Sequence, residues 1–312
     1  MRFSDVIDAF RASVPPTRTE DWREIGAYEA LWLEAGATFK TVAERIAAAP
    51  GGKASALVSG ETAERCSQTI RERFVAAKLE VGLRFFGAAD YPEKLKDAKY
   101  PLRALYFRGD WDLLAKPSVA VVGARQLTKE GAARTRRLVR GLVEDGFTIV
   151  SGLAAGTDTV AHTTALKMGG RTIAVLGTAI DAVYPKENAA LQEEIASRFL
   201  VISQAPVLVH AARDWRFNRS FFPERNITMC ALTDASIIAA IGDSNGTFIQ
   251  SKAALDQRRP LFLLNNCFFK AGVTWPAAFA RRGAIRAFDY EDIRRGLQAA
   301  FVGRPAIGAM AP

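Results

Sequence analysis

The sequence predicts an α/β protein: a doubly wound, mostly parallel sheet preceded by a helical N-terminal domain. Three observations carry this reading. Up to about residue 90 the apolar residues recur at helical spacing. From Pro117 onward the chain shows short, β-branched, almost uninterrupted apolar runs, the pattern of strands covered on both faces. Helix-like stretches separate those runs, and an alternation of strand and helix builds a parallel sheet between helical layers.

In order along the chain, Phe3, Val6, Ile7 and Phe10 share the face of a first helix. A second helical pattern covers residues 25–49 and stops at Pro50-Gly51-Gly52. A third starts at Ser59 or Thr62, either of which can cap a helix, and continues through Ala63, Cys66, Ile70, Phe74 and Ala77. Residues 1–88 are thus read as a helical N-terminal domain. The strand-like runs follow as SVAVVG, FTIVSGL, RTIAVLGT, FLVISQA, ASIIAAIG and RPLFLLNN. Helices are expected between them at 128–145, 157–168, 188–198, 226–232 and 247–257. AIRAF and YEDIRRGLQAAF add a last strand and a short amphipathic helix, closing a second domain over residues 89–303. Residues 304–312, rich in Pro, Gly and Ala, read as a flexible tail.

The net charge of +9, from 42 basic and 33 acidic residues, fits a polyanionic partner such as nucleic acid. It equally fits an Arg-rich solvated surface, and charge alone leaves both open. No stretch approaches the ~20 apolar residues of a membrane span, and the first residues lack the apolar core of a signal peptide. Cys66, Cys230 and Cys267 form no C-x-x-C pair, and His162 and His210 are the only histidines. No metal, disulfide framework or cofactor is therefore expected, and the cytoplasm is the expected compartment.

In a doubly wound sheet, ligands bind beyond the carboxyl ends of the strands. After the first run, Gly123 allows close backbone approach, Thr128 is placed to cap the next helix, and Arg125 stands beside that helix's amides. This fits a phosphate site or a tight turn with an exposed arginine. After the second run come Ser151, Gly152 and Gly156, again at a strand-to-helix turn, with a spacing that matches neither a P-loop nor a complete G-x-G-x-x-G fingerprint. Asp158 reads as a helix cap and His162 as a packing or hydrogen-bonding residue. After the third run, Lys186 precedes a helix, and Tyr184 is placed either to stack on a base or to pack its loop. In residues 213–226, cations and rings interleave without a helical or strand period. This suits a groove that tracks a single strand, with Arg219 and Arg225 on phosphates, Phe222 on a base and Asn226 beside them. A surface loop with some buried aromatics is the other reading. Gly246 and Thr247 open a further helix as another anion cradle.

Taken in order, Tyr91-Pro92, Pro101-Leu102, VVGAR, SGLAAGTD, the Ala161–Gly170 run, TIAVLGT, YPKEN, FPERN and NGTFIQSKAAL resemble the DNA-processing protein A (DprA/Smf) family. The resemblance spans roughly residues 90–290. It implies an extended Rossmann-like domain that binds single-stranded DNA, forms a homodimer and delivers the strand to a RecA-type recombinase. It also implies that Arg125 and Lys186 are the DNA-contacting basic pair, and that Gly123, Ser151, Gly152, Gly156, Arg225 and Asn226 build the pocket. The chain departs from the family pattern at Gln204, Ile227, Ala239 to Gly242 and Asn245. The alternative function is a nucleotide-sensing or partner-binding component of a defence or mobile-element system, within the wider SLOG superfamily. Nucleotide-cleaving members of that superfamily carry PGGxGTxxE; here the stretch reads GDSNGTFIQ, with Gln250 at the glutamate position. An amide cannot stabilise an oxocarbenium-like transition state, so no catalysis is expected.

Overall fold

The computed structural model describes residues 19–97, 100–242 and 245–302. The first expected helix, the tail 304–312, Asp243 and Ser244 lie outside the described residues. The strands are β1 (Gly82–Phe85), β2 (Ala104–Gly109), β3 (Ser118–Val122), β4 (Thr148–Ser151), β5 (Thr172–Leu176), β6 (Leu200–Ser203), β7 (Ala235–Ile238), β8 (Leu261–Leu264) and β9 (Ile285–Ala287). They form one sheet in the order β1-β2-β6-β5-β4-β3-β7-β8-β9. From β6 across to β9 all pairings are parallel, and β2 and β1 add antiparallel pairings at one side. The chain moves outward from β3 through β4, β5 and β6, then returns to place β7 on the other flank of β3. The strand order therefore reverses beside β3, the position at which doubly wound sheets hold ligands.

Around the sheet lie α4 (Lys129–Glu144), α5 (Thr157–Lys167), α6 (Ala189–Arg198), α7 (Val207–Ala212), α8 (Trp215–Asn218), α9 (Phe221–Leu232), α10 (Gly246–Asp256), α11 (Trp275–Arg281) and α12 (Tyr290–Val302). Every residue of β3, β4, β5, β6, β7 and β8 is buried, which is why their sequences are apolar but for serine and threonine. In β2 the period of two is visible: Leu105 and Phe107 join one core, while Ala104 and Tyr106 join the other, beneath the N-terminal helices.

Those N-terminal helices are α1 (Thr19–Leu33), α2 (Phe39–Ala48) and α3 (Gly60–Ala76). The pattern over 25–49 is two helices, not one. Gly36 adopts a φ of +76°, and Thr38 then restarts the chain with a capping box: its Oγ1 accepts from Thr41 N at 3.1 Å and its own amide donates to Thr41 Oγ1 at 2.9 Å. Ser59 caps α3, accepting from Thr62 N at 3.2 Å, and Ala63, Cys66, Ile70 and Phe74 form its buried face. β1 falls within the stretch read as helical, because four residues are too few for a period to declare itself. Glu29 of α1 is fully buried and reaches the sheet layer: its carboxylate accepts from Val207 N at 2.6 Å, Leu208 N at 2.9 Å and the Tyr106 hydroxyl. Burial raises its pKa to about 7, with the three hydrogen bonds pulling the other way.

The segment 213–226 also departs from the aperiodic reading. Asp214 caps α8, accepting from Phe217 N at 3.0 Å, and α9 begins at Phe221, five residues ahead of the expected helix. Phe221 is buried against Trp32 and Phe39, with ring centroids 5.9 Å from each, and Pro223 sits in the first turn, where its missing amide costs nothing.

Candidate nucleic-acid interface

The loops after β3, β4 and β5 are fastened to one another before any ligand is considered. Ala124 O accepts from Thr157 N at 3.0 Å and from Thr157 Oγ1 at 3.1 Å, joining the turn after β3 to the start of α5. Gly123 is a glycine because a Cβ there would lie 2.4 Å from Thr157 Oγ1. Gly156 caps α5 at φ +79°, where a Cβ would lie 2.4 Å from Ala124 O. Asn188 is buried below Lys186, and its amide donates to Leu153 O at 2.9 Å and Thr159 Oγ1 at 2.8 Å, tying the loop after β5 to the loop after β4. Thr128 caps α4, accepting from Gly131 N at 3.0 Å. Asp158 is not a helix cap: Gly156 holds that position, and Asp158 Oδ2 instead accepts from Ala154 N at 3.2 Å within the preceding loop.

Above this scaffold stands a cluster of rings and guanidinium groups. Tyr184 lies 4.8 Å from Trp215 and 5.6 Å from Phe222 between ring centroids, and Trp215 lies 5.7 Å from Phe222. The guanidinium carbons of Arg125 and Arg225 are each 5.8 Å from the Phe222 ring centre, within cation–π range. Gly177, at the end of β5, leaves room for that ring, since a Cβ there would lie 2.4 Å from it. Trp215 is 48% exposed, an unusual state for so large a ring, and Arg125, Lys186 and Arg219 are exposed.

Arg225 serves differently from its exposed neighbours. It is buried, with Nη1 donating to Gly152 O at 2.5 Å and Val175 O at 2.6 Å, and Nε to Asn226 Oδ1 at 2.9 Å. Burial lowers its pKa to about 10, against the attraction of Asp158, so it stays charged at neutral pH. Asn226 passes the connection on, donating to Gly246 O at 3.2 Å at the start of α10. Ser151 Oγ turns inward to Val121 O at 2.7 Å, and Thr247 is buried. The structure therefore brings Arg125, Tyr184 and Phe222 together at the surface. It sets Gly123, Gly152, Gly156, Arg225, Asn226 and Gly246 beneath them as scaffold, and leaves Lys186 and Arg219 in solvent.

Trp215 lies within the basic–aromatic stretch with no sequence signal of its own; its place beside Tyr184 and Phe222 makes it a third ring of the cluster. His162 is buried, with Nδ1 2.7 Å from Thr172 Oγ1, and burial holds its pKa down at about 3. Gln250 is likewise buried and donates to Ser236 Oγ at 3.1 Å beneath α10, turned into the core. Among the described residues no group of three or more His, Cys, Asp or Glu is placed to hold a metal, and no helix is long and apolar enough to cross a membrane.

A family model for DNA recombination-mediator protein A matches residues 82–298. The chain is 40% identical over 181 residues to the Smf protein of a Synechocystis species, covering 57% of this chain and 44% of that one. It is 37% identical over 179 residues to the DNA processing protein DprA of Streptococcus pneumoniae, covering 56% and 59%. It thus spans about half the length of the curated relatives it matches. The X-ray structure of the Streptococcus pneumoniae DprA superimposes with a TM-score of 0.63 at 26% identity, covering 88% of this chain and 95% of that one. A Helicobacter pylori DprA structure, described for its single-stranded DNA binding mode, gives 0.58 at 26% identity, covering 72% and 98%. The chain belongs to the DNA recombination-mediator protein A family.

Proposed function

We propose that this chain binds single-stranded DNA across the carboxyl ends of β3, β4 and β5 and delivers the strand, as a homodimer, to a RecA-type recombinase. The cluster formed by Arg125, Tyr184, Trp215 and Phe222 carries this reading. An exposed indole packed against two partly buried rings beside a guanidinium offers a stacking surface to bases and a cation to the backbone, the combination that sequence-tolerant single-strand binders use. Lys186 extends the cationic side of the same edge, and the net charge of +9 favours a polyanion. The likeness to the Helicobacter pylori protein supports the choice of ligand. The recombinase and the homodimer rest on the family pattern. The chain does its work by binding, with no reaction assigned to it.

The test is fluorescence anisotropy with labelled single-stranded and duplex oligonucleotides, comparing wild type with Arg125→Glu and Lys186→Glu. Tight single-strand binding that both charge reversals abolish supports the site. Binding indifferent to both reversals sinks it.

A further inference from the structure

A second recess lies away from this cluster, between the N-terminal helices and the start of the sheet. It encloses about 650 Å³, within the range of small-molecule sites. Its walls bring together Arg23, Lys53 and Arg103, the ring of Phe86, and the carboxylates of Asp21 and Glu24. Glu24 is already spent inside the fold, because it accepts from Ala54 N at 2.6 Å and Ser55 N at 3.1 Å. Arg103 is differently placed. Its guanidinium carbon lies 4.8 Å from the Phe86 ring centre, one Nη donates to Ala43 O at 3.2 Å, and its Nε meets no acceptor. That Nε is shielded from solvent, so it is the rest of the guanidinium, with Lys53, that gives the recess its preference for an anion, and the half-exposed ring beside it favours a planar group.

The recess also faces the right way. Phe86 directly follows β1, and β1 runs parallel to β6, since each is antiparallel to β2. The recess therefore opens at the same edge of the sheet as the ends of β3, β4 and β5. Three strand spacings separate β1 from β5, or about 14 Å. Helix α2 bridges the two places. Phe39 at its start packs on Phe221, beside the strand-end cluster, while Ile46 near its end lines the recess.

We propose that this recess binds a nucleoside phosphate, with the base on Phe86 and the phosphate met by Arg103 and Lys53. The nucleotide is either free or one unit of a strand that continues from the strand-end cluster. The strand-borne form rests on the function proposed above; the free form stands without it.

The experiment titrates the full chain with dAMP by calorimetry and separately photocrosslinks it to a short oligonucleotide carrying 4-thiothymidine, mapping the adducts by mass spectrometry. Lys53 is exposed, so Lys53→Glu should leave the fold intact, and Arg103→Gln is the second variant. The free form predicts dAMP binding that Lys53→Glu weakens by about tenfold, the scale of one charge-assisted contact, and that Arg125→Glu leaves unchanged. The strand-borne form predicts no dAMP heat, but adducts on the peptide containing Phe86 that disappear in Lys53→Glu. Loss of oligonucleotide binding in Arg125→Glu reports on the strand-end site alone. Absence of both dAMP binding and Phe86-region adducts in wild type overturns the proposal, as does a signal that neither Lys53→Glu nor Arg103→Gln changes.

Discussion

A Cβ on Gly152 would lie 2.2 Å from Nη1 of Arg225, so the residue that follows β4 is a glycine because a buried arginine fills the space a side chain would need. That guanidinium joins the carbonyls of two neighbouring strand ends, Gly152 O and Val175 O, and its ring neighbour Phe222 is in turn part of the surface cluster. One inward-facing cation thus sets the height and spacing of the groups above it.

Gly152→Ala should displace the Arg225 guanidinium and leave a buried charge without its acceptors. The expected loss of stability is about 3 kcal/mol, with a lower urea midpoint and an unchanged slope. The double variant Gly152→Ala/Arg225→Ala should lose less than the two single losses added together, because both act on one contact. A Gly152→Ala midpoint equal to wild type would remove the supporting role from Arg225.

Trp215→Ala should weaken single-strand binding by about 1–3 kcal/mol, the contribution of one stacked base, while leaving the salt dependence in place. Arg125→Ala should instead flatten the plot of log affinity against log salt by about 0.7, one phosphate contact to a single strand. Anisotropy titrations over a range of salt concentrations separate the two. Equal changes of slope in both variants would contradict the division between rings and cations.

Acid should destabilise the fold through His162. Its pKa is about 3 in the folded chain, mainly through burial, and 6.5 when free. Between those values the unfolded chain takes up a proton that the folded chain refuses. The stabilisation is complete above pH 6.5 and drains away toward pH 3, with about 2 kcal/mol gone by pH 5. Urea midpoints for wild type and His162→Gln should therefore diverge with pH, the variant showing the shallower decline. Parallel declines would show that His162 is not the titrating group.

Glu29 acts with the opposite sign. Its pKa rises from 4.5 to about 7 on folding, so here the folded chain holds the proton more tightly. The associated stability is present below pH 4.5 and is lost as pH rises through 7, a change on the order of 3 kcal/mol. Glu29→Gln, which keeps an acceptor for the amides of α7, should gain on wild type as the pH is raised from 5 to 8. A difference between the two that does not vary with pH would show that Glu29 stays ionised throughout.

The central strands were legible because helices cover both sides of them, which leaves runs such as Val119–Val122 without a polar position. The turns that follow them were legible too, since Gly123, Gly152, Gly156 and Gly177 mark places where a neighbouring side chain or backbone fills the space of a Cβ. What escaped the sequence depends on contacts between distant segments. Phe221 begins a helix because Trp32 and Phe39 bury it, and nothing in residues 213–226 announces those partners. Arg225 sits in a basic–aromatic stretch that reads as surface. Its inward direction is set by the carbonyls of Gly152 and Val175, 73 and 50 residues away along the chain. Trp215 was likewise hidden among its neighbours, because only the fold brings Tyr184 against it.

The sheet ends in four-residue β1 on one side and three-residue β9 on the other. Open edges are where chains zip together through their backbones, and the length of the open edge sets how far such a ladder can run. Copies of this chain that collide edge to edge find only three or four residues to pair on either flank. Among the described residues nine strands are thereby assembled into one sheet with almost no template for fibril growth at its edges, so concentrated solutions of the folded chain should resist cross-β aggregation.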